Sequence, residues 1–329
     1  MRYVSLAGAE VSVIGLGAWQ FGSRGWGWGR EFGRREALAV VERAIELGIS
    51  LFDTAEVYGG GGSERLLGDA LRDHRAQVYV ASKVWPVHAL RSQVRAAAER
   101  SLGRLQMDRI DLYQVHWPNP LAPISWTMAG MRDLLEAGRI GAVGVSNFGL
   151  DRWRRADAAL GAPVPSNQVR YNLLQRGPER GVLPFAREEG RTIIAYSPLA
   201  QGLLSGRYDA GHVPGGVRRF NPLFTRENLD RVRPVLDVLG EVARAHAATP
   251  AQIALAWVVA RPGVVAIPGA KTLEQVEQNA AAAEIELSAD EMAALEAASR
   301  GFTPAGRLRT AAAMARRLLS APFSVSGAR

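Results

Sequence analysis

The sequence predicts an α/β chain folded as a (β/α)8 barrel, with a β-hairpin before it and extra helices after it. Three observations predict this. Eight short strand-like runs, most followed by a helical stretch, can be counted, and strict strand-then-helix alternation argues for a parallel sheet. Asp53, Lys83, His116, Asn147, Gln168, Tyr196 and Pro268-Gly269 each stand at or just past the end of one of those runs. A closed barrel collects all such ends at one mouth, where its chemistry sits. Finally, no linker and no repeat of fixed period divides the chain, so residues 1–329 are expected to form one barrel domain.

The elements follow in order. Residues 3–13 alternate loosely around Ala7-Gly8 and predict a hairpin; Ile14 to Ala18 predict the first barrel strand. Residues 22–33 form a Gly/Trp loop without helical period; with Trp19 it holds Trp26 and Trp28, a lid or a substrate wall. Helix 34–47 stops at Gly48, a C-cap, and strand 49–52 follows. Ser63 is placed to N-cap a helix to about 72. Then come strand 77–82, helix 88–103, strand 110–115, helix 124–137, strand 140–145 and helix 149–159. Strand 164–169, helix 178–189 and strand 191–196 continue the alternation. Over 197–228 Gly, Pro and Arg accumulate, and so long a loop in a compact domain is usually functional. Helices 229–246 and 250–261 follow, the second opened by Thr249-Pro250, an N-cap with Pro at the first helical position. Strand 264–267 and helices 272–283 and 288–299 close the fold.

Composition excludes several classes. The chain has no cysteine, so disulfides, thiolate metal sites and a Cys nucleophile are out, and a reducing compartment, the cytoplasm, is expected. The apolar start is broken by Glu10, Gly15 and Gly17 and reads as strands rather than a signal peptide; no apolar run is long enough to span a membrane. The formal charge of +8 is local: residues 300–329 hold six arginines and no acid. The basicity therefore belongs to the tail, and nucleic acid is not an expected partner. A helix over 304–319 with an apolar stripe is expected to dock on or near the barrel, a membrane-surface or partner helix being the alternative.

Only two of the 40 basic residues are lysine, Lys83 and Lys271. A retained Lys suits tasks that need a compact ammonium with a movable pKa, although chance retention explains the count equally well. Phe52 to Gly59 sets Asp53 and Tyr58 five residues apart after a buried run. Singly, Asp53 reads as a cap and Tyr58 as a core aromatic; jointly with the other strand ends they read as a site. Gly15-Leu16-Gly17 is half a dinucleotide fingerprint, but Gln20 stands in the third glycine's place. Gly59 to Gly62 lack the Lys-Ser or Lys-Thr pair of a P-loop. Histidines 74, 88, 212 and 246 scatter, are expected at the surface, and suggest no metal site.

Taken in order, Ile14-Gly15-Leu16-Gly17, Asp53-Thr54-Ala55 with Tyr58-Gly59, Ser82-Lys83, His116-Trp117-Pro118 and Gly144 to Phe148 make a pattern. Gln168, Tyr196 to Leu199, Ile267 to Lys271 and Gln278-Asn279 complete it. The chain resembles an aldo-keto reductase over nearly its whole length. The resemblance implies a catalytic tetrad of Asp53, Tyr58, Lys83 and His116. Tyr58 would protonate the carbonyl oxygen, its pKa lowered by Lys83, which Asp53 holds. His116, neutral, would orient the carbonyl.

The resemblance also implies NADPH or NADP+ as cofactor. Ser146, Asn147 and Gln168 would bind the carboxamide, and Tyr196 would stack on the ring. Gly17, Trp19, Asp53, Ser197, Pro198, Leu199, Gln201 and Leu204 would line its path. Pro268, Gly269, Ala270, Lys271 and Thr272 would meet the 2′-phosphate end, with Gln275, Gln278 and Asn279 towards the adenine. Gln275 stands where many relatives carry Arg, which weakens the expected preference for NADPH. Substrate contacts would come from Trp19, Trp26, Tyr58, Trp85, His116 and Trp117, and the aromatic walls suggest apolar or aromatic carbonyl compounds. The expected function is reduction of an aldehyde or ketone to an alcohol. The alternative is an NADP-binding redox sensor resembling the β subunits of potassium channels. Oligomeric state is not legible.

Overall fold

The structure, a computed structural model, describes residues 1–305, the side chains of 219 and 220 excepted. The tail helix expected over 304–319 lies almost wholly outside the described residues. An antiparallel hairpin of β1 (Tyr3–Leu6) and β2 (Ala9–Ser12) comes first, turning at Ala7 and Gly8. Eight parallel strands then form one sheet in sequence order: β3 (Leu16–Gly17), β4 (Leu51–Asp53), β5 (Tyr79–Val84), β6 (Ile110–Val115), β7 (Ile140–Ser146), β8 (Ser166–Arg170), β9 (Thr192–Tyr196) and β10 (Val264–Ile267). Between and after them lie α1 (Arg34–Glu46), α2 (Gly62–Ala70), α3 (Arg91–Leu105), α4 (Ile124–Glu136), α5 (Leu150–Leu160), α6 (Val182–Glu188), α7 (Arg226–Ala245), α8 (Pro250–Val259), α9 (Leu273–Ala281) and α10 (Ala289–Arg300).

The barrel closes between its first and last strands. Gly15 N donates to Ala266 O and Gly17 N to Pro268 O, while Ala266 N donates to Val13 O. This approach is what the glycines permit. A Cβ on Gly15 would lie 2.8 Å from Leu51 O, and one on Gly17 2.7 Å from Ile267 O. The Gly-x-Gly of this segment thus serves strand closure and not a phosphate turn.

Two apolar layers hold the barrel. Helix faces pack on the outside of the strands around large buried side chains such as Trp153 and Trp257. Inside, Leu51, Ala81, Leu112, Ala142, Ile194 and Val265 form a floor that the hairpin's Leu6 and Val11 plug from below. The hairpin is therefore the bottom of the core. Thr249 caps α8 as its sequence suggests, accepting from Gln252 N in a capping box with Pro250 at the first helical position.

Some local expectations are corrected. Helix α2 begins at Gly62, not at a Ser63 cap. Ser63 is buried, and its hydroxyl donates to Ala18 O at 2.8 Å and pairs with Thr54 Oγ1. The burial of that hydroxyl ties the β4 exit to the first strand, and this outweighs capping. The 197–228 loop is not structureless: it carries short 3-10 turns at Ala200–Ser205, Gly216–Phe220 and Pro222–Phe224, and α7 starts inside it. Three of the four histidines expected at the surface are half-buried and face carboxylates: His74 Glu42, His88 Glu56 and His246 Glu291. The tail's first residues dock on the barrel's outer helices, since Ala305 N donates to Asn228 Oδ1 of α7. Among the described residues no helix is long and apolar enough to cross a membrane.

Candidate active site

Side chains alternate along a strand, so every second residue faces the barrel interior. Two residues beyond the apolar floor positions Leu51, Ala81 and Leu112 stand Asp53, Lys83 and Gln114. Period two therefore stacks a polar layer directly on the apolar one. Gly144 occupies the matching place on β7, where a Cβ would come within 2.8 Å of Gln114 Cγ.

Lys83 is completely buried and Asp53 nearly so. The ammonium donates to Asp53 Oδ1 at 2.6 Å, to Thr54 O at 2.8 Å and to Tyr58 Oη at 3.3 Å. The other carboxylate oxygen, Asp53 Oδ2, accepts from Gln168 Nε2 at 2.7 Å and from Gln114 Nε2 at 3.3 Å. A buried ion pair stands only when its spare lone pairs are met, and here two amides meet them. Burial pulls the Lys83 ammonium below its ordinary range, while Asp53 and the buried Glu64 hold it up.

Tyr58 sits on the loop after β4, against the Gly22 backbone. A Cβ on Gly59 would lie 2.8 Å from Gly22 Cα, so the glycine run lets the tyrosine loop seat closely on the Gly/Trp loop. Burial raises the Tyr58 pKa well above the phenol's ordinary value, and the negative charge of Asp53 adds to this. Burial and Asp53, rather than Lys83, set the direction of the shift. Tyr58 thus holds its proton through neutral pH.

His116 follows the end of β6, its backbone N–H donating to Val84 O at 3.1 Å. Its ring meets Tyr58 edge-on at 5.7 Å and Trp85 at 5.3 Å between centroids. Nδ1 is buried without a partner. Burial, and then the charge of Lys83, push its pKa well below 6.5, so the ring is neutral and carries one N–H and one bare nitrogen. Glu56 fixes the neighbouring loop: Oε1 accepts from Trp85 N at 2.5 Å and faces His88 Nδ1 at 3.0 Å.

A neutral buried imidazole also costs stability in acid. The folded pKa lies below the unfolded value, so the unfolded chain binds the extra proton first. Stability is full above about pH 6.5 and falls as pH drops towards the folded pKa, by up to about 1.4 kcal/mol per pH unit. Thermal melts between pH 6.5 and 5 are expected to show a shallower decline in His116→Gln than in the wild type. Equal slopes would mean that His116 is not the group that titrates.

Above this layer opens a cavity of about 850 Å³. One end is walled by Tyr58, His116, Trp19, Trp26, Trp85 and Trp117. Ser146, Asn147, Gln168 and Tyr196 line its middle, followed by Ser197, Pro198, Leu199 and Gln201; Gly17, Asp53, Pro268 and Gly269 also line it. Lys271, Gln275, Gln278 and Asn279 stand at the far end. Asn147 takes the left-handed conformation at φ 63°, which Asn tolerates. That turns its amide inward: Nδ2 donates to His116 O at 3.2 Å and Oδ1 accepts from Tyr196 Oη at 2.9 Å.

Four expected site residues stand outside this lining. Lys83 lies beneath it and meets the lining through Asp53 and Tyr58. Leu204 is fully buried, because the 3-10 turn at Ala200–Ser205 rotates it into the core. Ala270 is buried too, and only its carbonyl is used, accepting from Gln20 Nε2. Thr272 is the N-cap of α9, its hydroxyl accepting from Gln275 N. Trp28 turns away from the cavity and packs edge-on to Phe32. Unforeseen in the sequence are Gln114, Glu31, Glu56, Arg170 and Arg218. Glu31 Oε2 lies 2.7 Å from Lys271 Nζ, and the Arg218 guanidinium lies 4.8 Å over the Trp26 ring. These two contacts clasp the Gly/Trp loop across the mouth from both sides.

Such a mouth sets a protonated phenol and a neutral imidazole at the wall of a trough-shaped cavity of about 850 Å³. The model of the Aldo/keto reductase family matches residues 13–300. An uncharacterized oxidoreductase of Mycobacterium tuberculosis is 53% identical over 321 residues, covering 97% of this chain and 99% of its own. A methylglyoxal reductase of Escherichia coli is 36% identical over 290 residues, covering 88% and 91%. The crystal structure of an aldo/keto reductase from Klebsiella pneumoniae in complex with NADP and acetate superposes with a TM-score of 0.71 at 36% identity, covering 88% and 92%. The chain belongs to the aldo/keto reductase family and is by that membership an oxidoreductase.

Proposed function

We propose that this chain reduces an aldehyde or ketone to an alcohol with NADPH, Tyr58 delivering the proton. The observation that carries the reading is the Lys83 ammonium, set between Asp53 at 2.6 Å and the Tyr58 hydroxyl at 3.3 Å beneath the trough. The residues lining the trough suit the cofactor's chemistry. The open face of Tyr196 and the amide of Asn147 suit an aromatic carboxamide, and the cation Lys271 at the mouth of α9 suits a phosphate. Bound there, the reduced nicotinamide supplies the hydride.

The chain's own residues do the rest. The walls of Trp19, Trp85 and Trp117 keep water from the carbonyl and hold its apolar part. The neutral imidazole of His116 donates through its one N–H to the carbonyl oxygen and steers it towards Tyr58. As charge grows on that oxygen, Tyr58 Oη releases its proton. The tyrosinate formed already faces the Lys83 ammonium, whose attraction strengthens in the transition state more than in the ground state. Asp53 and its two amide donors keep Lys83 from following the substrate.

The test is loss of reduced-nicotinamide absorbance when the purified protein receives NADPH or NADH and a panel of aromatic aldehydes. Multiple turnover supports the reductase. Tight nucleotide binding without turnover overturns it in favour of a redox-sensing binding protein.

The Lys271 pairing makes a further prediction. Glu31 is held in its charged form mainly by its hydrogen bond from Lys271. Its carboxylate would repel a 2′-phosphate approaching the same cation. Glu31→Gln is expected to raise the NADPH over NADH affinity ratio about two- to fivefold, since the pair is half in water. Fluorescence titration with both nucleotides checks this; an unchanged or lowered ratio refutes it.

A further inference from the structure

The substrate end of the site carries a cation that the reduction chemistry does not use. A second cavity of about 1330 Å³ adjoins the first, and the two share Trp19, Trp26, Arg170 and Gln201. Arg170 therefore stands at the throat between them. Its place follows from the strand. Gln168 points inward, because its amide reaches Asp53, and Arg170 is two residues further along β8, hence on the same face. The Arg170 Cα lies about 7 Å further along the strand than that of Gln168, towards the mouth. Its guanidinium lies 5.5 Å from the Tyr196 ring centroid.

The charge balance there is one-sided. The second cavity is lined by Arg170, Arg176, Arg180 and Arg300 against one carboxylate, Glu179. Glu179 is already held by Arg176 at 2.8 Å, and Arg176 and Arg300 both reach Glu296. Arg170 has no carboxylate within ion-pair distance among the described residues. The residues beyond 305 offer it no acidic side chain, since Glu296 is the last acid in the sequence. A half-buried guanidinium that faces two cavities and has no carboxylate partner among the described residues is a ready fork for a carboxylate or phosphate.

The geometry points to a substrate of a defined class: a carbonyl compound carrying an anionic group, its apolar body against the contacting Trp19–Trp26 pair and its anion on Arg170. This refines the expectation of apolar or aromatic substrates, and it rests on the reductase reading above.

The experiment compares 4-carboxybenzaldehyde with 4-methylbenzaldehyde on the NADPH-loaded wild type, Arg170→Gln and Arg170→Lys. Wild type is expected to favour the carboxylate by about tenfold in kcat/KM, mostly through KM and less so at high salt. In Arg170→Gln the carboxylate-to-neutral ratio should fall towards one, and Arg170→Lys should restore part of it. Wild type without preference for the carboxylate, or a ratio unmoved in Arg170→Gln, overturns the inference. A tenfold weaker NADPH affinity in Arg170→Gln would also overturn it, by making Arg170 a cofactor contact. Should neither aldehyde turn over, the reductase reading fails by itself. Binding then decides: tryptophan fluorescence titrated with the matching alcohols must still favour the carboxylate about tenfold and lose that preference in Arg170→Gln. Equal affinities sink the inference.

Discussion

Tyr58→Phe is expected to lower kcat roughly 10²–10⁴-fold while leaving NADPH affinity and fold nearly intact. The size follows from what the hydroxyl does. It is the one proton donor that both faces the cavity and touches Lys83, at 3.3 Å, among the described residues. His116 can orient a carbonyl, but its pKa lies well below neutrality, so it holds no spare proton at pH 7. The fold survives because Lys83 keeps Asp53 Oδ1 and Thr54 O as acceptors when the phenol oxygen is gone. The stability change should stay within about 1 kcal/mol. The raised Tyr58 pKa adds a pH signature: the wild-type reduction rate should be level through neutrality, since the donor is fully protonated there. Stopped-flow turnover, nucleotide titration and a thermal melt on the same preparation separate these terms. A variant that retains more than a tenth of wild-type kcat would remove Tyr58 from the proton-donor role.

The barrel was legible because its signals repeat. Most strands are short apolar runs, most helices have a stripe, and the alternation recurs along the chain, so an error at one boundary does not change the topology. The site was legible where a polar residue ends an apolar run, as at Asp53, Lys83 and His116. Gln114 escaped because it lies inside the run of β6, where only knowing which face turns inward distinguishes it from its neighbours. Glu31 and Arg170 escaped for another reason. Their significance lies in what they pair with, or fail to pair with, across 240 residues for Glu31 and Lys271. Leu204 lies off the cavity lining in a loop turned by the left-handed residues Ala200 and Gln201, and their positive φ values leave no trace in composition. The lowered Tyr58 pKa was expected by adding one cation's effect. In the structure burial, which composition does not show, raises it first, and the negative charge of Asp53 in the same contact adds to that.

Lys83→Met is expected to abolish turnover and to cost the fold about 3–5 kcal/mol. Both effects come from one buried pair. Without the ammonium, Tyr58 forfeits the charge that stabilises its anion, and Asp53, 2% exposed, is left negative in a dry barrel. Gln168 and Gln114 still donate to Oδ2, but Oδ1 loses its partner and the net charge remains. For a chain of this length the melting temperature should drop by roughly 4–7 °C. The double variant Lys83→Met, Asp53→Asn tests the cause. It removes both charges together and keeps a carbonyl oxygen for the Gln168 amide. Breaking one side of a buried pair is far costlier than replacing both. The double variant should therefore recover most of the lost melting temperature while staying inactive. If it melts no higher than Lys83→Met, the loss comes from packing of the lysine's methylene stem and not from the orphaned charge. If it regains activity, the ammonium is not what stabilises the Tyr58 anion, and the proton route must run through His116 instead.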